Sequence, residues 1–264
     1  MHETLSSILH ASPVVQPLFR ELGLDADGIF THQGIHPWRR LGDRENCTLD
    51  FQRPDGAPGR WHVKRYAAAK NGTTPAQIEV AGHESLVRAG IPTADLIGWG
   101  RVADGRSFVI FDDLFGYRPA DKYLQSGMPF ETLLRPTADL AAKLHLAGLH
   151  HRDLYLCHFM VKAEAGTDTP NLRLIDTARV RKLPRLFQRG RWIVKDLAQF
   201  WYSTLKTPVD DGQRDRWIER YTQQRHLPGH VGWRRLVVRK VKQIARHDQR
   251  LRRLRPERNV SIPR

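Results

Sequence analysis

The apolar pattern of this chain changes period once, near Phe115-Gly116, and that change constrains its fold more than any other feature. Before it, short runs alternate apolar and polar residues, the two-residue period of strands. In NCTLDFQ, Cys47, Leu49 and Phe51 alternate with polar neighbours, and RWHVKRY follows across the turn RPDGAPG, so the pair predicts a hairpin. DLIGWGRV and RSFVIFDDL read as two further strands around Ala103-Asp104-Gly105. One helix interrupts them, opened by Pro75 and closed by Gly90, with Ile78, Ala81, Leu86 and Ala89 on its expected buried side.

Beyond the change, ETLLRPTADLAAKLHLAG places Leu133, Thr137, Leu140, Ala141 and Leu144 on one helical face, and Gly148 ends it. RWIVKDLAQFWYSTL, GQRDRWIERYTQQ and a basic tail keep the helical period. Residues 1–38, broken by prolines and glycines, read as an irregular N-terminal extension that could hold one short helix. The expectation is an α+β protein of two lobes: a small β-rich N-lobe over 39–115 and a larger α-helical C-lobe over 116–264.

Composition narrows the class. Apolar residues make up 40% and charged residues 27%, which excludes wholesale disorder. No apolar run approaches the ~18–20 residues that span a bilayer. The opening MHETLSSILHASPVVQPLF lacks a basic start and a long apolar stretch, so no secretory signal is expected. The two cysteines, Cys47 and Cys157, lack metal-ligand spacing and read as free thiols in a reducing, cytoplasmic setting. A net charge of +15 points to an anionic partner, whether nucleic acid, lipid headgroup or phosphorylated substrate. The charge is uneven: Arg234 to Arg258 holds eleven Lys or Arg against Asp248 and Glu257.

The chemistry concentrates in LHLAGLHHRDLYLCHFMV, residues 144–161. His151-Arg152-Asp153 comes at once after the helix ended by Gly148. His158 stands five residues beyond Asp153, FMVK resumes as a strand, and LRLID delivers Asp176 at the end of another. A loop carrying one Asp, a hairpin and a second Asp resemble the catalytic and metal-binding loops of protein-kinase-like folds. Phosphoryl transfer needs one carboxylate to orient the acceptor hydroxyl and another to hold the cation that bridges the nucleotide phosphates. The remaining kinase part, a strand lysine paired with a helical glutamate, is offered by Lys64 in WHVKRY and Glu79 on the helix that follows.

These segments together resemble the lipopolysaccharide kinase (Kdo/WaaP) family, a bacterial group with a protein-kinase-like fold. HLAGLHHRDLYLCHFMV is similar to its catalytic segment, and LIDTARV and RWIVKDLAQFWYS to its downstream signatures; VKRY, the spacing from Glu79 to GIPT, and SFVIFDDL match more weakly. The resemblance runs from about Arg39 to about Tyr221. It implies Asp153 as the catalytic base or hydroxyl-positioning residue, Asp176 as a Mg2+ ligand with His158 beside it, Lys64 on the ATP phosphates held by Glu79, and Asp112, Asp113 and Leu114 beside the adenine. His151, Arg152 and Asp196 would support the catalytic loop. The implied activity is ATP-dependent phosphorylation of a heptose or Kdo of the lipopolysaccharide inner core, peripheral on the cytoplasmic face of the inner membrane. An anionic membrane surface is an implied partner, an acyl carrier protein a further one, and nucleic acid is not expected. Two features depart from the pattern. Thr177-Ala178-Arg179 stands for the usual Leu-His-Arg, and LGDREN (Leu41 to Asn46) must cover the phosphates with one glycine.

Plainer readings stand beside these. Asp153 alone could be a solvated loop residue, Arg65 competes with Lys64, Glu84 with Glu79, and His158 could simply pack within the loop. His145, His150, His151 and His158 together invite zinc, yet lack zinc spacing. Trp192, Trp201, Trp217 and Trp233 read as packing residues. The fold could also serve another small-molecule or protein acceptor, or a basic pseudokinase scaffold. The tail, with Val237, Val241 and Ile244 on one side and Leu251 continuing it, is a last helix packed on the C-lobe, a helix docked on anionic lipid, or, on charge alone, a nucleic-acid-binding element.

Overall fold

The computed structural model describes residues 6–69, 72–164, 166–167, 169–185 and 188–254. Helices and antiparallel sheets both build it, and the chain divides into two compact units: residues 1–84 with 94–115, and residues 85–93 with 116–264.

The first unit is built on a six-stranded antiparallel sheet. Its strands are β1 (Ile8–Ala11), β2 (Ile35–Leu41), β3 (Arg44–Gln52), β4 (Pro58–Tyr66), β5 (Leu96–Arg101) and β6 (Ser107–Asp112), in the order β1-β5-β6-β4-β3-β2. The expected β3–β4 hairpin is present, with Asn46 opposite Lys64 and Leu49 opposite Trp61. Period-two alternation sends Trp61 and Val63 of β4 into a core with Cys47, Leu49, Phe108 and Ile110. The same alternation puts His62, Lys64 and Tyr66 on the opposite face. Gly42 lies in the two-residue turn between β2 and β3, at the tip of the LGDREN segment.

The N-terminal segment is not the irregular extension its sequence suggests. β1 pairs with β5, and the short helices α1 (Gln16–Glu21) and α2 (Gly28–Thr31) bury Phe19 and Ile29 in the sheet's core. Helices of one turn are too short to display a period, which is why the pattern missed them. β1 can lie against β5 because Gly100 has no side chain; a Cβ there would overlap the Ile8 carbonyl oxygen.

Helix α3 (Pro75–Arg88) begins at Pro75 as expected. Its inward face differs from the apolar reading: Ala81 is exposed, while Ala76, Glu79, Val80, His83 and Leu86 are buried. Two polar residues occupy the inner face, so apolar periodicity alone rotated the helix wrongly.

The second unit is mainly helical. α4 (Ala120–Gln125), α5 (Glu131–Leu146), α6 (Arg189–Thr204), α7 (Asp211–Gln224) and α8 (His230–Leu254) enclose a core in which Phe200 stacks on Trp217 at 4.0 Å. All five residues assigned to the inner face of α5 are buried. Gly148, at φ 71°, turns the chain out of α5 in the left-handed conformation that glycine adopts without strain. Small sheets follow: β7 (Arg118–Pro119) and β10 (Asn171–Leu174) flank β9 (Phe159–Lys162), and β8 (Leu149–His150) pairs with β11 (Arg181–Lys182). An Asp210–Gln213 capping box starts α7.

Helix α8 buries Val237 and Val241 and packs Trp233 and Ile244 against the same core, alongside α6. The apolar side of the basic tail is therefore occupied by the protein itself, the packed alternative among the three read from sequence. Residues 255–258 of that tail, Arg255 included, lie outside the described residues, as do Met1 to Leu5 of the N-terminus. Among the described residues no helix is long and apolar enough to cross a membrane.

Candidate active site

The first unit brings together Lys64, Tyr66 and Glu79. Lys64 and Tyr66, two apart on one face of β4, both reach Glu79 on α3. Lys64 Nζ lies 2.5 Å from Oε1, and the Tyr66 hydroxyl donates to Oε2. Glu79 is fully buried, whereas Glu84 is exposed, so Glu79 is the partner of Lys64. Arg65 faces the other way, its Nε donating to the Ile29 carbonyl. Burial pushes the Tyr66 hydroxyl pKa far up, with the Glu79 charge adding to it against Lys64. Tyr66 had a signal in the sequence, the strand position two beyond Lys64, that the motif did not use.

Asp112, Asp113 and Leu114 close this unit's last strand. The Asp112 carboxylate accepts from Arg53 at 2.9 and 3.0 Å, and Asp113 pairs with His62 Nε2 at 2.6 Å. Both carboxylates thus serve the unit's own structure.

In the second unit the loop carrying Asp153 hangs from one face of α6. Asp196, fully buried, accepts the main-chain N–H of His151 at 2.6 Å and of Arg152 at 2.9 Å. Gln199 Oε1 accepts from Leu154 N at 3.3 Å, and its amide donates to the Arg152 carbonyl at 2.7 Å. Ser203 Oγ accepts from Leu156 N at 2.8 Å. Positions 196, 199 and 203 repeat at helical spacing, so a single stripe of polar side chains satisfies the loop backbone. Sequence reasoning named Asp196 and missed the other two, although the spacing was there to find them.

Behind Asp196, His145 Nε2 approaches at 3.3 Å while Nδ1 receives the Tyr221 hydroxyl at 2.7 Å. Burial drives the His145 imidazole down, toward the neutral form. Burial works to raise Asp196, but the bonds from His145 and the loop outweigh it and hold the carboxyl below its ordinary range. His151 is buried with Nε2 3.1 Å from the Ile175 carbonyl, linking the loop to the residue before Asp176.

Arg152 and Asp176 both have positive φ, 69° and 64°. Such conformations cost roughly 1–3 kcal/mol each and persist where surrounding bonds impose them, characteristically at functional sites. The Asp176 charge lies close enough to act on the Asp153 carboxyl. Burial pushes the Asp153 carboxyl above the ordinary carboxylate range, and the Arg179 guanidinium, 3.0 Å from both its oxygens, pulls it back. His158 joins the two acids. Its Nδ1 donates to the Asp153 carbonyl at 2.7 Å, and its Nε2 faces Asp176 Oδ2 at 3.7 Å. Burial disfavours a charged His158, yet Cys157, Asp176 and the Asp153 carbonyl outweigh it and shift its pKa upward.

A main-chain carbonyl on one ring nitrogen with the other turned to a carboxylate is how metal-binding histidines are oriented. Among the described residues no three His, Cys, Asp or Glu converge as a metal cage. The Asp176 carboxylate is the oxygen donor that Mg2+ takes alongside water and phosphate, whereas the His158 imidazole is not a favoured Mg2+ ligand and one carboxylate with one imidazole falls short of a closed zinc site.

The arrangement presents two carboxylates from a rigidly held loop and a hairpin, with a lysine–glutamate pair in the other unit. A kinase family has this inventory, and the profile of the lipopolysaccharide kinase (Kdo/WaaP) family matches residues 59–221. The chain belongs to that family. It is 24% identical over 210 residues to the lipopolysaccharide core heptose(I) kinase WaaP of Pseudomonas aeruginosa, covering 71% of this chain and 75% of that one. The Escherichia coli K12 protein of the same name is 33% identical over 90 residues, 32% of this chain and 31% of its own length. The fold is similar to a solved structure of WaaP in complex with acyl carrier protein, with a TM-score of 0.68 at 24% identity over 89% of this chain and 98% of that one.

Proposed function

We propose that the protein is an ATP- and Mg2+-dependent kinase that phosphorylates a sugar hydroxyl, of heptose or Kdo, in the lipopolysaccharide inner core. The observation that carries this reading is the pair Asp153 and Asp176, joined through His158, with the Asp153 loop held by the α6 stripe, in a chain of this kinase family. On this reading the fold is protein-kinase-like and two-lobed.

Asp153 takes the acceptor hydroxyl's proton, and its raised pKa makes it a better base than an exposed carboxylate. Asp176, with His158 beside it, would hold Mg2+, which would supply charge neutralisation at the nucleotide phosphates. Lys64, oriented by Glu79 and Tyr66, takes the phosphates, and Asp112 to Leu114 lie beside the adenine. Asp196, His151 and Arg152 fix the loop, so that catalysis rests on positioning and charge stabilisation.

The acceptor is membrane-anchored and anionic, which suits a chain of net charge +15 working at the inner membrane's cytoplasmic face. An acyl carrier protein, the partner in the solved WaaP complex, is an acidic helper that this basic surface could take. Incubation with labelled ATP, Mg2+ and lipopolysaccharide core, followed by isolation of the core, tests the reading. Label on a core sugar supports it; ATP turnover with no label transferred contradicts it.

A further inference from the structure

Between Asp176 and Asp196 the chain holds seven Lys or Arg, no acidic residue, and no hydroxyl residue except the buried Thr177. Four cations of this region and its neighbouring loop gather in the second unit: Arg179 and Lys195 act on the Asp153 carboxyl, and Arg152 and Arg179 act on Arg181. Arg179 grips the Asp153 carboxylate. Arg152 spreads its guanidinium over the Trp192 ring at 4.7 Å, and its buried Nε has no hydrogen-bond partner. Lys195 lies over the same ring at 5.3 Å and donates to the Arg152 carbonyl. Arg181, on β11, donates to the carbonyls of Ala178 and Val180 and, among the described residues, to no carboxylate.

Gathering cations in a partly buried place is unfavourable unless an anion joins them. Burial, then Arg152 and Arg179, lower the Arg181 pKa, and burial, then Arg179, lower that of Lys195 against the opposing pull of Asp153 and Asp196. The anion cannot be a phosphorylated residue of residues 178–195, which contain no hydroxyl side chain. Guanidinium forks match carboxylate and phosphate oxygens in paired hydrogen bonds.

We propose that Arg152, Arg179, Arg181 and Lys195 form the anion-reading half of the acceptor site, selecting an acceptor that carries carboxylate or phosphate oxygens near the hydroxyl to be phosphorylated. This rests on the kinase reading above and narrows its substrate class. Arg179 exchanges the Asp153 carboxylate for the acceptor's anion, which frees Asp153 to accept the hydroxyl proton only when a matching acceptor is present.

The test measures KM and kcat for wild type and Arg181→Gln on three lipopolysaccharide core acceptors: intact, carboxyl-reduced and dephosphorylated. Loss of a charged hydrogen-bonded contact should raise KM roughly ten- to hundredfold. Wild type should show that rise on the carboxyl-reduced core if the site reads a carboxylate, or on the dephosphorylated core if it reads phosphate. Arg181→Gln should show it on the intact core with kcat nearly unchanged, and lose little more on the stripped acceptor. Phosphorylation of all three cores by wild type with one KM would overturn the inference and leave the kinase reading standing. An equal loss for Arg181→Gln on every core would reduce Arg181 to a structural role and also overturn it. Should no core be phosphorylated, calorimetric titration with free Kdo and with inorganic phosphate decides. Binding abolished by Arg181→Gln keeps the anion site while the kinase reading falls, and absence of binding removes both.

Discussion

The Asp196 carboxylate accepts the main-chain N–H of His151 at 2.6 Å, tying α6 to the residue two places before Asp153. Asp196→Ala would strand that N–H, the N–H of Arg152 and His145 Nε2 in a buried setting. The expected loss is roughly 3–5 kcal/mol in urea denaturation, against roughly 1–2 kcal/mol for Gln199→Ala. Equal losses for the two would mean that the loop is not hung from Asp196.

Lys64→Ala leaves the buried Glu79 charge with Tyr66 but without its 2.5 Å cation. We expect destabilisation of roughly 1–3 kcal/mol together with weakened nucleotide binding. Lys64→Met with Glu79→Gln removes both charges and should recover stability without recovering nucleotide affinity. If calorimetric titration shows ATP binding unchanged in either variant, Lys64 does not touch the phosphates.

Three buried histidines around the catalytic loop set an acid limit. Burial lowers His145, and lowers His150 and His151 to about 4. They stay neutral in the folded chain while the unfolded chain takes up protons near the ordinary value of about 6.5. Stability from their neutral state is therefore full above that pH and is lost as pH falls toward about 4. Each of the two can contribute up to roughly 3 kcal/mol. His158, shifted upward to about 10, loses its contribution as pH rises above about 6.5, so the three rings are read below that pH: denaturation midpoints at pH 6.5, 5.5 and 5 should fall in that order at constant slope. A flat profile would show that the three rings are not buried neutral.

Helix α8 keeps one charged face after its apolar side is packed. Arg235, Arg239, Lys242, Arg246, Arg250 and Arg253 recur at helical spacing, and all are exposed. Arg234 and Arg252 are instead paired with Asp215 and Asp248. Each basic residue near an anionic bilayer contributes about 1 kcal/mol, with strong salt dependence. Changing Arg235, Arg239, Arg246 and Arg250 to Gln should weaken sedimentation with anionic vesicles by at least a hundredfold, on the order of what four such contacts supply. Neutral vesicles should bind neither protein. Unaltered binding by the variant would place any membrane contact elsewhere.

Strands, hairpin, helix starts and the Gly148 exit were legible in the sequence because each follows from a local rule: alternation, turn chemistry or a left-handed cap. The second unit's site was legible for a similar reason, since Asp153, Asp176 and Asp196 sit in contiguous motifs. What escaped reading was of another kind. The rotation of α3 could not be seen because its inner face carries Glu79 and His83, whose burial is justified only by partners distant in sequence. β1 escaped because its place depends on glycine at position 100, far along the chain. Arg179 was noticed only as a departure from a motif, and its grip on Asp153 emerges from geometry alone.

The central claim is that Asp153 accepts a proton from an acceptor hydroxyl. Single-turnover transfer of labelled phosphate from ATP to lipopolysaccharide core, for wild type and Asp153→Asn, tests it most directly. The amide keeps the shape and cannot take the proton, so nucleotide binding should persist while the transfer rate falls by several orders of magnitude. Transfer by Asp153→Asn within about tenfold of wild type, below the usual worth of general-base catalysis, would remove Asp153 from the chemistry.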